Sequence, residues 1–115
     1  MFTERRICKR INVSLPINYD ILETVKRISS NTVCKDISET GIRLILKRFY
    51  PPKAKFLLRI TLGQESKIIE AIAETIWSFN MRSSDMYYNG SRFIDMNKQN
   101  QTLLKEYIFI KHITE

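Results

Sequence analysis

INVSLPINY, residues 11–19, decides the fold. Ile11, Val13, Leu15, Ile17 and Tyr19 alternate with Asn12, Ser14, Pro16 and Asn18. Successive side chains of a strand point to opposite faces, so this period of two makes one apolar face and one polar face. Pro16 has no N–H for a ladder, which predicts a free side or a bulge there. Further strands follow at residues 32–38 and 41–46, with a turn at 38–41 between them. Pro51 and Pro52 mark a break. Residues 55–62 read as a fourth strand and 63–66 as a turn.

Residues 67–79 fit two templates. Ile68, Ile72 and Ile76 suit a helix face, whereas Ile69, Ala71, Ala73, Thr75 and Trp77 suit a strand. The strand across the Gly63 turn favours a hairpin. Residues 81–89 read as a polar loop leading into a strand through Phe93 and Ile94. Residues 98–112 read as a helix with Leu103, Leu104, Tyr107 and Ile108 as its apolar stripe and Asn97 as N-cap. Residues 20–31 carry Ile21, Val25 and Ile28 at helical spacing, but the stretch is short and ends in Ser29, Ser30 and Asn31. It reads as a loop with extended character. The expected fold class is mainly β: a small six-stranded antiparallel barrel with a C-terminal α-helix packed on it, since closure removes the edge strands. The expected organisation is one domain, with an arm at 1–10, the barrel at 11–96 and the helix at 97–115.

The 115 residues carry 43% apolar side chains and a formal net charge of +7. That apolar content excludes a disordered chain. Charge interrupts the apolar runs, as Arg59 does within residues 56–62, so no membrane insertion is expected. No apolar stretch follows the charged start, so no secretory signal is visible. Cys8 and Cys34 show neither metal-ligand nor redox spacing, and a reducing cytoplasm is the expected location. No nucleophile–base pair and no metal cluster can be assembled, which argues against an enzyme. A basic chain tends to meet phosphate, and Arg5, Arg6, Lys9 and Arg10 fall within six residues.

Two short stretches carry the chemistry. ERRICKR, residues 4–10, sets Arg6 and Arg10 four apart with Arg5 just before them. DISETG, residues 36–41, places Asp36, Ser38 and Gly41 at a D-x-S-x-x-G spacing. Arginine's planar fork bonds a phosphate or a guanine edge in bidentate fashion and stacks on purines. Asp36 and Ser38, two apart, share a strand face. The carboxylate can accept from guanine N–H groups or hold an arginine in position, and the hydroxyl can donate or accept. Gly41 permits positive φ or a close backbone approach. Taken alone, the first stretch also reads as a solvated basic arm and the second as a plain β-turn.

Both motifs in this order, flanking an alternating strand, resemble the PilZ domain family of bacterial cyclic di-GMP receptors. The family pattern is R-x-x-x-R, a strand, then (D/N)-x-S-x-x-G, then strands ending near a tryptophan. Trp77, Gly90 and Phe93 match its weaker later positions, with Trp77 read as core. Residues 20–31 have no counterpart in the pattern. The resemblance implies a cyclic di-GMP-binding effector with no cofactor, whose ligand is held by Arg5, Arg6, Arg10, Asp36, Ser38 and Gly41. An arginine at the place of Arg5 further implies two stacked ligand molecules per chain. The arm is expected to close over the ligand and change how the domain meets an effector protein. Two other readings are a basic β-barrel that binds single-stranded nucleic acid, which would need exposed aromatics along a basic groove, and a PilZ-like adaptor working only through protein contacts.

Overall fold

The computed structural model describes residues 9–22, 29–63 and 67–114. Arg5, Arg6, Cys8 and most of the expected arm lie outside the described residues, as do residues 23–28 and 64–66. Seven strands and one helix follow in chain order: β1 (Ile11–Asn12), β2 (Pro16–Ile21), β3 (Ser29–Ile37), β4 (Gly41–Leu46), β5 (Lys55–Leu62), β6 (Lys67–Asn80), β7 (Tyr87–Asp95) and α1 (Lys98–Thr114). All pairings are antiparallel. Around the sheet the order is β3-β2-β5-β6-β7-β4, and β4 pairs back onto β3. The expected six-stranded barrel is therefore closed, with β1 added as a short extra strand beside β3.

Alternation drives the closure. Ile17 and Tyr19 of β2, Phe56, Leu58, Ile60 and Leu62 of β5, and Ile69 and Ala73 of β6 all turn inward. Tyr19 and Tyr50 meet Phe56 edge-on, with ring centroids 5.8 and 5.1 Å apart. Leu104 and Ile108 of α1 join the same core, flanked by Leu103 and Tyr107, which is the stripe read from the sequence. Asn97 caps the helix, its Oδ1 accepting from Asn100 N at 2.8 Å.

Several boundaries differ from expectation. The alternating run 11–19 is two strands, because the chain leaves the ladder between Asn12 and Pro16. Pro16 opens β2 opposite Val33 of β3, and pairing with β5 begins only at Ile17, so the missing N–H interrupts no ladder. The segment 20–31 is not all loop. Asp20 and Ile21 complete β2, while Ser29, Ser30 and Asn31 begin β3. Their polar side chains stay outside while the backbone pairs with β2, and Asn18 Nδ2 donates to Asn31 Oδ1 at 3.1 Å. Strand β7 likewise starts at Tyr87, within the expected polar loop.

Trp77 is not core. Ile69, Ala71, Ala73 and Thr75 are buried as the strand template requires. The register then shifts: Thr75 faces Ser91, but Trp77 faces Gly90. This β-bulge inserts one residue and reverses the phase, so Trp77 emerges 40% exposed. The indole lies against Gly90, where an added Cβ would sit 2.3 Å from Trp77 Cε2. Phe79 stacks beside it, 5.6 Å between centroids. Gly90→Ala should therefore push the ring off the strand and cost about 1–3 kcal/mol. Urea unfolding measures the loss, and emission from Trp77, the single tryptophan, should shift to the red. An unchanged midpoint with unchanged emission would refute this packing.

Candidate functional site

Arg10, the described end of the first motif, meets the second motif at Asp36. Its carboxylate is fully buried, at 0% exposure. Asp36 stands between two strands, opposite Asn12 of β1 on one side and Arg43 of β4 on the other. The arm residue Arg10, two positions before Asn12, reaches it: Nη1 donates to Oδ1 at 2.7 Å. From the other side Arg43 Nε donates to Oδ2 at 3.0 Å, and its Nη2 donates to the same oxygen. A register shift between Cys34 and Asp36 sets the carboxylate in this place. Of the two roles open to Asp36, holding arginines is the one it performs here. Both guanidiniums reach solvent, with side chains 45% and 31% exposed.

Ser38 and Gly41 shape the turn instead of lining a surface. Ser38 is 1% exposed, and its Oγ accepts from the N–H groups of Thr40 and Gly41, each at 3.2 Å. Ser38 N donates to Gly41 O at 2.9 Å, closing the hairpin between β3 and β4. Gly41 does not use positive φ, since Gly63 is the described glycine that does. Its need is space: a Cβ there would lie 2.6 Å from the carbonyl oxygen of Ser91 on β7. Ser38 and Gly41 thus fix the β3–β4 corner that aims Asp36 and Arg43.

Arg10 and Arg43 border a hollow of about 310 Å³ whose other walls are Ile42, Ile76, Trp77, Gly90 and Ser91. Arg43 also lies over Tyr88, 5.5 Å from the ring centroid. Tyr88 meets Phe79 edge-on at 5.9 Å, so guanidinium and rings run as one strip along the outside of the barrel. Two residues here escaped the sequence reading. Trp77 was hidden by the bulge. Arg43 was legible, because strands 32–38 and 41–46 joined at 38–41 put positions 36 and 43 directly opposite, where opposite charges pair.

Cys34 is buried, its Sγ donating to Val13 O at 3.1 Å, and burial pushes its thiol pKa up. His112 is exposed in the last turn of α1. Among the described residues no His, Cys, Asp and Glu side chains gather to hold a metal, and no helix is long and apolar enough to cross a membrane.

A profile of the PilZ domain matches residues 4–109, nearly the whole chain and both motifs. The chain belongs to the PilZ domain family. A search of curated protein sequences found no significant match. Solved structures share the fold. The Bacillus subtilis inhibitor of motility (MotI/DgrA) superposes with a TM-score of 0.81 at 20% identity, covering 98% of this chain and 53% of that one. The Escherichia coli YcgR PilZ domain with c-di-GMP gives 0.65 at 18% identity, covering 92% and 90%. The K. pneumonia MrkH–c-di-GMP complex gives 0.64 at 18% identity, covering 97% and 54%. The chain therefore spans about half the length of the motility inhibitor and of MrkH.

Loss of Asp36 should be felt in folding. Asp36→Ala leaves Arg10 and Arg43 without their shared acceptor and should cost about 1–3 kcal/mol, the scale of hydrogen bonds to charged groups. Urea unfolding at neutral pH measures it. A stability equal to the parent would show that the carboxylate contributes no net fixing of the corner.

Proposed function

We propose that this chain is a non-catalytic cyclic di-GMP receptor acting in the cytoplasm. One observation carries the reading: Asp36 of the D-x-S-x-x-G motif holds Arg10 of the R-x-x-x-R motif at 2.7 Å, 26 residues away in sequence. The last arginine of one motif is thus joined to the other motif, beside an open hollow that Arg10 borders. The ligand's phosphates and guanine edges suit guanidinium forks. Two similar structures, the YcgR PilZ domain and MrkH, are with c-di-GMP, which supports the same ligand here. The proposed contacts are Arg5, Arg6 and Arg10, with Asp36 orienting them and Ser38 and Gly41 holding the corner. Arg5 supplies the extra arginine for two mutually stacked ligand molecules. Closure of the arm over the ligand then alters the surface offered to an effector protein.

A second reading has its own observation. Phe49, Trp77 and Phe79 are exposed at 53, 40 and 49%, and Arg43 and Arg48 lie over tyrosine rings. These are the exposed aromatics that a single-stranded nucleic-acid site requires. Calorimetric titration with cyclic di-GMP, cyclic di-AMP, GTP and a short single-stranded oligonucleotide separates the two. Cyclic di-GMP should bind selectively, with two molecules per chain, and Arg5→Ala should shift the ratio towards one. Tighter binding of the oligonucleotide, or equal binding of both cyclic dinucleotides, would reject the receptor reading. Arg10→Ala should cost about 1–3 kcal/mol of affinity, the scale of a bidentate contact.

Arm closure has a separate measurement. The apolar side chains of residues 1–10 are Met1, Phe2, Ile7 and Cys8, set against roughly 1–2 kcal/mol of backbone entropy per residue. Arg10 already has Asp36 as its counter-ion, while the clustered charges of Arg5, Arg6 and Lys9 repel until a further anion neutralises them. Hydrogen exchange at residues 4–10 should slow on adding saturating cyclic di-GMP while Ile17 and its β2 neighbours change little. Protection already present without ligand would rule out arm closure as the switch.

A further inference from the structure

Asp36 holds two arginines, and the family motifs account for one of them. Arg43 stands opposite Asp36 in the β3–β4 ladder and donates to Oδ2 through Nε and Nη2. These contacts occupy the side edge of its guanidinium. Its Cζ also lies over the Tyr88 ring, 5.5 Å from the centroid. The ion pair and the ring contact together hold the group in place. Its end edge, formed by Nη1 and the second Nη2 hydrogen, meets no acceptor among the described residues. Two parallel donors therefore remain on a side chain that borders the hollow between Arg10 and Trp77.

A single carboxylate facing two guanidiniums leaves a surplus of positive charge here. Both a phosphate and the O6/N7 edge of guanine match a fork of two parallel donors. The rest of the hollow decides between them. Its walls include Ile42, Ile76 and the Trp77 indole, apolar surfaces that suit the flat face of a base better than a hydrated phosphate.

We propose that Arg43 contacts the ligand and reads the O6/N7 edge of a guanine seated in this hollow. The inference rests on the receptor reading above and adds the source of its base specificity. Guanine offers two acceptors to the fork, whereas adenine turns the N6 amino donor towards it. Arg43 is carried by β4 within the closed barrel and held there by Asp36, so its donors are set by the fold.

Arg43→Lys tests the assignment, because it keeps a charge opposite Asp36 and removes the fork. Dissociation constants for cyclic di-GMP and cyclic di-AMP are measured by calorimetry on the parent chain and the variant, with urea midpoints in parallel. Loss of a bidentate base contact should weaken cyclic di-GMP by about tenfold or more and leave cyclic di-AMP within about twofold, so that discrimination collapses. A purely structural role, or a phosphate contact, would weaken both ligands alike, and that result overturns the proposal. Unchanged binding of both ligands overturns it too while leaving the receptor reading intact. If the parent chain binds no cyclic di-GMP, both fall together.

Discussion

A carboxylate that water cannot reach must find its partners within the protein, and Asp36 organises this molecule through that requirement. Burying an ionised group without donors costs several kcal/mol, so the surrounding chain has to bring donors to it. It does so from both directions. The β3–β4 hairpin delivers Arg43 by register, and the segment before β1 delivers Arg10. The braced turn at Ser38 and the close passage of Gly41 beside β7 keep that register from slipping. Features spread over more than thirty residues of sequence thus answer to one buried charge.

The outer strip beside it follows from a different constraint. Six strands close the barrel, and the bulge in β6 turns one run of side chains outward without opening the ladder. Trp77 and Phe79 consequently lie on the same exterior as the Asp36-held arginines. Gly90 is the counterpart of that choice, since any side chain there would occupy the space of the indole. Barrel closure supplies rigidity and the bulge supplies chemistry on its surface.

Much of this was readable from residues alone. Period-two alternation identified β2, the strands read at 41–46 and 55–62 are β4 and β5, the Gly63 turn decided β6 in favour of a strand, and the helical stripe and Asn97 cap located α1. The polar start of β3 was not readable, because Ser29, Ser30 and Asn31 belong to a strand through backbone pairing with β2 while their side chains bury little. The exposure of Trp77 was hidden for a related reason: one inserted residue reverses every later side chain, and composition carries no mark of it. At the site, proximity of Asp36 to Arg10 depends on β1 docking beside β3, a long-range event. The Asp36–Arg43 pair needed only the hairpin register.

Closure of the barrel also governs how the chain must assemble. Local turns can bring β3 to β4 and β5 to β6 early, since each pair is adjacent in sequence. The seams that complete the cylinder join Ile17 to Ile60 and Gly41 to Arg92, and each must close a long loop before its contacts repay the lost entropy. Until those seams form, β2 and β7 present open edges carrying apolar side chains, the state in which strands pair with the wrong chain. The hollow beside Arg43 depends on one of these seams: its walls come from β4 on one side and from β6 and β7 on the other, so it exists only once β4 has closed onto β7.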